Sequence, residues 1–177
     1  MLPRFRGCAV INMIKASPKD ARTLADTRRI VWEETYRGIY LDSILDGYDV
    51  EYYTARDRQR MEDPNHVYYL FMDGKNCVGY FSFGPYNYGT YKDFALCLNN
   101  LYILKSHKGR GLGRQAFQVI RQYCRDRKIH RFFCGCNANN LPAVAFYRHM
   151  GGIQGDEVPE DVPPQDQIIH FEFYLGE

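Results

Sequence analysis

A chain of 177 residues, 45% of them hydrophobic, has the length of one ordinary domain and enough apolar content to fill its core. Its 23 basic and 21 acidic residues nearly cancel to a formal charge of +2, which argues against nucleic acid as a partner. The opening MLPRFRGCAVIN is too briefly apolar for a signal-peptide core or a membrane span, so a soluble, cytoplasmic protein with no membrane contact is expected.

In chain order, residues 1–12 read as an N-terminal extension or a poorly ordered start, ahead of a single domain over residues 13–177. Ser17-Pro18-Lys19-Asp20 is a helix start: a hydroxyl cap, proline at the first helical position, and a carboxylate three residues after the cap. Ala21, Leu24, Ala25, Val31 and Trp32 follow at roughly helical spacing, with Gly38 as the stop. A second short helix, polar and tyrosine-rich, is expected over residues 49–61, closed by Asp63-Pro64. Residues 67–72 and 77–83 read as two strands joined by a tight turn at Asp73-Gly74-Lys75-Asn76. After a Gly/Tyr/Asn-rich loop over residues 84–93, a third strand over residues 95–104 runs into the basic, glycine-rich KSHKGRGLGR.

From Gly111 to about Arg127, one face carries Leu112, Ala116, Val119, Ile120 and Tyr123 while polar residues hold the other, the pattern of an amphipathic helix. Residues 131–136 read as a short buried strand and residues 140–150 as a helix ended by Gly151. Residues 158–165 form a Pro-rich acidic loop. The final strand, residues 168–175, alternates Ile169, Phe171, Phe173 and Leu175 with His170 and Glu172. The six cysteines, Cys8, Cys77, Cys97, Cys124, Cys134 and Cys136, are scattered, mostly in apolar runs, and read as small buried hydrophobes of a reducing compartment. Cys134 and Cys136 share a strand face but have no second pair to complete a tetrahedral site, so no metal is expected.

The chemistry concentrates at Lys108, Gly109, Arg110, Gly111, Leu112, Gly113 and Arg114, between a strand and a helix. Unpaired backbone N–H groups and the helix dipole favour an anion there. Glycines let the backbone approach phosphate oxygens, and Arg110 and Arg114 flank it with charge. A nucleoside-triphosphate loop needs lysine and then serine or threonine after its last glycine, but Gly113 precedes Arg114 and Gln115. A dinucleotide loop wants its third glycine one position later and an acidic residue ending the next strand, where Cys134-Gly135-Cys136 stands.

Residues 108–113, directly after the strand ending Leu101-Tyr102-Ile103, resemble the pyrophosphate loop of the GNAT superfamily of acetyl-CoA-dependent N-acetyltransferases. Some thirty residues on, Asn140-Leu141-Pro142-Ala143-Val144-Ala145-Phe146-Tyr147 with Gly151 is similar to that family's second motif. The resemblance implies an α/β fold with a mixed, mostly antiparallel central sheet flanked by helices and splayed between two central strands. It also implies acetyl-CoA as cosubstrate, without a metal, and direct attack by the amine of a small molecule, protein or peptide, in a monomer or homodimer. At matching positions, Leu101, Tyr102 and Ile103 would meet the pantetheine arm, Lys108 to Arg114 the pyrophosphate and Asn140 the arm. Tyr147 would protonate the leaving thiolate. Lys108 replaces the usual Gln or Arg, and Gly152 stands where an aromatic residue is common. Cys97 and Gly135 occupy positions where many relatives carry a basic glutamate, so the sequence names no general base.

Around this frame, Trp32, Tyr36 and Tyr40 are candidates for an acceptor pocket, or for core. Cys97 is a candidate neighbour of the thioester. His107 reads as a surface residue, and His149 and His170 have no partner pattern. A noncatalytic acyl-CoA sensor and a dinucleotide-binding oxidoreductase are the alternative readings.

Overall fold

The computed structural model describes residues 10–86, 91 and 93–176. Its strands are β1 (Ile11–Lys15), β2 (Val67–Asp73), β3 (Asn76–Gly84), β4 (Cys97–Ile103), β5 (Arg131–Asn137), β6 (Ile153–Gln154) and β7 (Ile168–Tyr174). Its helices are α1 (Ala21–Tyr36), α2 (Asp42–Asp46), α3 (Val50–Glu62), α4 (Leu112–Asp126) and α5 (Leu141–His149). The strands form one sheet in the order β1-β2-β3-β4-β5-β7-β6, antiparallel throughout except for β4 with β5. This is the mixed, mostly antiparallel α/β sheet that the sequence predicts.

Local chemistry sets the helix starts. The Asp20 carboxylate accepts the Ser17 N–H at 2.9 Å and the Ser17 hydroxyl at 2.8 Å, closing a 3-10 turn before α1. Asp49 accepts the Tyr52 N–H at 2.9 Å and starts α3. α1 buries Leu24 and Val31 against Tyr68, Leu70 and Tyr80. α4 buries Leu112, Ala116, Phe117 and Ile120 in a core with Phe132, Phe171 and Phe173. The adjacent residues Leu70 and Phe71 of β2 belong to these two different clusters, so α1 and α4 cover opposite faces of the sheet. Among the described residues no helix is long and apolar enough to cross a membrane.

The sheet begins earlier than the sequence indicates. Ile11 and Asn12, placed in the extension, pair with Asp73 and Met72 as part of β1. As an edge strand with only partial burial, β1 carries a weak alternation that sequence does not resolve. Residues 1–9 of that extension lie outside the described residues, as do residues 87–90 and 92 of the 84–93 loop.

β4 and β5 pair only at Cys97↔Phe133 and Leu98↔Cys134. Beyond Leu98, β4 continues along β3 and β5 along β7, and the sheet opens into a wedge. The β3–β4 register explains where. Ser82 opposes Asn100 and Phe83 opposes Leu98, which leaves Asn99 as an extra residue. Such a bulge bends and twists its strand, and this one falls where β4 departs from β5.

Candidate active site

The wedge leads to the loop before α4. Gly109 and Gly111 have φ of 77° and 78°, and a β-carbon at either would meet nothing within 4 Å. They are glycines because of backbone angle, not lack of space. Gly113 has the opposite reason: a β-carbon there would stand 2.8 Å from Phe146 Cζ, so its bareness lets α4 close on α5. The first α4 bond of this region runs from the Gln115 N–H to the Gly111 carbonyl. The N–H groups of Leu112, Gly113 and Arg114 precede it and have no helical acceptor.

A cavity of about 400 Å³ fills the wedge. Leu101, Tyr102 and Ile103 of β4 line it, as do Lys108, Gly109, Gly111, Leu112, Gly113 and Arg114 of the loop and Asn140 and Tyr147 of α5. Arg110, grouped with them by sequence, does not line it; its guanidinium is exposed and turned to the Ser106 carbonyl at 3.5 Å. Asn140 occupies the N-cap position of α5, yet its side chain makes no capping bond; its carbonyl serves the Ala143 and Val144 N–H groups. The side-chain amide is left to the cavity.

Burial governs the acid–base character of the walls. It lifts the Tyr147 phenol well above 10.0, and Cys134 and Cys136 add to the shift. The Tyr36 and Tyr102 hydroxyls lie 2.8 Å apart, and burial raises both. Cys97 and Cys136 are pushed up to about 12, again by burial. These groups are proton donors at neutral pH, neither phenolates nor thiolates. Among the described residues no three His, Cys, Asp or Glu side chains gather as a metal-binding group.

The sequence model of the acetyltransferase (GNAT) family matches residues 24–151, well over half of the chain. The protein belongs to the GNAT family. No curated protein matches it in sequence. Among solved structures, it is similar to the PaiA N-acetyltransferase of Thermoplasma acidophilum in complex with coenzyme A. That likeness has a TM-score of 0.76 at 16% identity, covering 93% of this chain and 99% of that one. YncA of Salmonella typhimurium, a putative acetyltransferase solved with acetyl-CoA, gives a TM-score of 0.68 at 16% identity over 94% and 95% of the two chains. The ribosomal-protein-alanine N-acetyltransferase of Brucella melitensis gives 0.69 at 20% identity over 93% and 99%.

This GNAT chain has a second pocket of about 230 Å³ that shares Tyr36, Leu98, Asn99, Tyr102, Gly135 and Cys136 with the first, so the two communicate through the wedge. Tyr36 and Tyr40, stacked with centroids 4.2 Å apart, line it with Tyr86, Phe133 and Cys97. Trp32, the third aromatic candidate, is not there; it packs edge-on against Tyr48 and Tyr53. Of the histidines, His107 is half-buried rather than simply on the surface. Its Nε2 lies 3.2 Å from Asp73 Oδ2 and its Nδ1 2.8 Å from Ser106 Oγ. His149 is exposed at the end of α5. His170 lines the second pocket and does have a partner: its Nδ1 is 2.5 Å from Asp156 Oδ2.

Proposed function

We propose that this protein transfers an acetyl group from acetyl-coenzyme A to a primary amine by direct attack, using residues 13–177 with Ile11 and Asn12 as one acetyltransferase domain. The observation that carries this reading is the wedge between β4 and β5 ending on a positive-φ glycine loop at the start of α4. Such a cleft suits a ligand with a diphosphate at one end and an extended, amide-bearing arm. The loop amides from Gly109 to Arg114, with Lys108, hold the diphosphate. Arg110, exposed beside them, adds attraction at longer range. The free edge of Leu101, Tyr102 and Ile103 takes the arm as an added strand, and the Asn140 amide contacts it.

A backbone N–H near Ile103 polarises the thioester carbonyl as oxyanion character develops. Tyr147, neutral because it is buried, gives its proton to the departing thiolate. Cys97 and Cys136 remain thiols, which disfavours an acetyl-enzyme and supports direct attack. Family membership supports the reaction class, and the coenzyme A and acetyl-CoA held by PaiA and YncA support the cosubstrate. The aromatic second pocket suits a small-molecule amine or the terminal amine of a peptide.

Calorimetric titration with acetyl-CoA, followed by thiol release with a panel of amines, tests the reading. One site per chain and amine-dependent thiol release are expected. No affinity for acetyl-CoA overturns it. Binding without thiol release assigns the chain to the noncatalytic sensors.

A further inference from the structure

An alkylammonium with a pKa of about 10 must lose a proton before its nitrogen can attack. The phenols and thiols of the wedge are held protonated, and among the described residues no carboxylate lines either cavity. Three histidines do. Both ring nitrogens of His107 are engaged, and His149 is exposed at the rim of the first cavity, away from the second. Among the described residues, His170 is the histidine that faces the aromatic pocket.

We infer that His170 is the general base of this transfer, taking the acceptor's proton at Nε2 while Asp156 holds the ring through Nδ1. The inference rests on the acetyltransferase reading above. Its geometry has three parts. With Asp156 Oδ2 at 2.5 Å, Nδ1 carries the proton and Nε2 the lone pair. The same carboxylate accepts the His170 backbone N–H at 2.7 Å, which fixes it independently of the ring. Second, Gly135 and His170 are register partners, and a β-carbon built at Gly135 would lie 3.4 Å from Nε2. The imidazole thus lies over a bare stretch of β5 at the wedge, and Nε2 has no hydrogen-bond partner among the described residues. Third, Tyr91 stands against the ring at 4.4 Å and Phe133 at 5.9 Å, fixing its plane. Among the described residues, the titratable groups around the imidazole are Asp156 from the β6–β7 connection, Tyr91, Glu172 on β7, and, across the pocket, Cys97, Cys136 and the phenols of Tyr36, Tyr40, Tyr86 and Tyr102.

The protons balance as follows. The ammonium gives one proton to Nε2, forming an imidazolium paired with Asp156. The neutral amine attacks the thioester carbonyl and the C–N bond forms. The C–S bond breaks as sulfur takes the Tyr147 proton, and the surplus proton on nitrogen refills the phenol. The products are an N-acetyl amide, coenzyme A as thiol, and one proton that His170 returns to solvent.

His170→Gln and Asp156→Asn test the assignment, the first leaving the backbone bond to Asp156 intact. The probe amine is whichever of tyramine, spermidine and an alanine-initiated tripeptide the wild type acetylates fastest. H170Q is expected to bind acetyl-CoA as the wild type does while kcat/KM for the amine falls by about 10²- to 10⁴-fold. D156N falls in the same direction by a smaller factor. The H170Q deficit is expected to narrow as pH approaches about 10, where an alkylamine is already largely free base. Wild-type kcat/KM in H170Q, or an equal loss at every pH, overturns the assignment, the latter marking a structural role. A wild type that binds no acetyl-CoA removes the acetyltransferase reading first. One that binds it but releases thiol with none of the amines removes both readings and marks a sensor, whereas an unaffected H170Q removes the base alone.

Discussion

Tyr36 and Tyr102 share a hydrogen bond between hydroxyls 2.8 Å apart, joining the last residue of α1 to the edge strand of the wedge. Both line both cavities. The bond therefore sets the acceptor-side helix relative to the strand that would carry the pantetheine arm. Tyr36→Phe keeps the ring and its 4.2 Å stacking on Tyr40 but removes the bond. The expected cost is about 1 kcal/mol by urea unfolding, with the buried Tyr102 hydroxyl losing its partner. KM for the amine is expected to rise more than kcat falls, because the change touches the pocket wall and no proton that moves.

Tyr147→Phe isolates the donor role. The phenol is buried and its ring packs between Phe117 and Phe171, contacts that phenylalanine preserves. Turnover is expected to fall by about 10²-fold, with acetyl-CoA affinity unchanged by calorimetry. Equal turnover in the two proteins removes Tyr147 from the reaction.

The parts of this molecule that sequence reveals are those whose conformation is locally encoded. The glycines at 109, 111 and 113, the capping residues Ser17 and Asp20, and the apolar stripe of α4 each specify their surroundings within a few residues. The wedge itself is less local: it opens at Asn99, a bulge created by the β3–β4 register, and nothing in the apolar run marks which residue will be extra. The His170–Asp156 pair is less local still. It depends on β6, a two-residue strand whose Gln154 opposes Phe171, so that Asp156 arrives beside His170. Two residues carry no periodicity, and the Pro-rich loop between them gives no path. Both members of the pair also lie beyond the segment that the family model matches.

Gly111 and Gly113 separate the two uses of glycine in the loop. Gly111→Ala puts a side chain at φ 78°, costing about 1–2 kcal/mol of strain and turning the amides at the start of α4. Weaker acetyl-CoA binding with a modest drop in stability is expected. Gly113→Ala instead drives a methyl to 2.8 Å from Phe146 Cζ, an overpacking that costs about 1–3 kcal/mol. Its expected signature is mainly a lower Tm. Calorimetry and thermal melts of the two variants, side by side, check the division; equal affinity losses would refute it.

Alkaline pH is expected to destabilise the fold through its buried thiols and phenols. Burial raises Cys97 and Cys136 from 9.0 to about 12, Cys124 from 9.0 to about 11, and Tyr40 from 10.0 to about 12. The unfolded chain releases these protons at the ordinary values while the folded chain keeps them. Stability is therefore full below the unfolded values and falls as pH rises toward the folded ones. The window opens at about pH 9, where free thiols ionise. Tyr36, Tyr80, Tyr102 and Tyr147, all raised by burial, steepen the loss above the ordinary phenol value of 10.0. The urea midpoint should be flat to about pH 8.5 and then decline, with a shallower decline in Cys97→Ala. A midpoint constant to about pH 11 would contradict these assignments.

Arg28 and Asp57 form a fully buried ion pair between α1 and α3, Nη1 to Oδ2 at 2.5 Å. Arg28 Nε also donates to the Tyr80 hydroxyl at 3.0 Å, and Arg56 meets the other Asp57 oxygen at 3.0 Å, while Arg28 Nη2 has no partner. Removing the carboxylate leaves a buried cation uncompensated, so Asp57→Asn is expected to cost about 3–5 kcal/mol in denaturant unfolding. Replacing the pair together, R28M/D57L, is expected to cost much less, because both desolvation penalties disappear with the charges. Arg28 lies two helical turns before Tyr36 on α1, so loosening its anchor also frees the end of the helix that lines the second pocket. D57N is therefore expected to raise KM for the amine without changing acetyl-CoA affinity. If R28M/D57L regains stability but not the wild-type KM, the ion pair serves to position α1 rather than to hold the fold together.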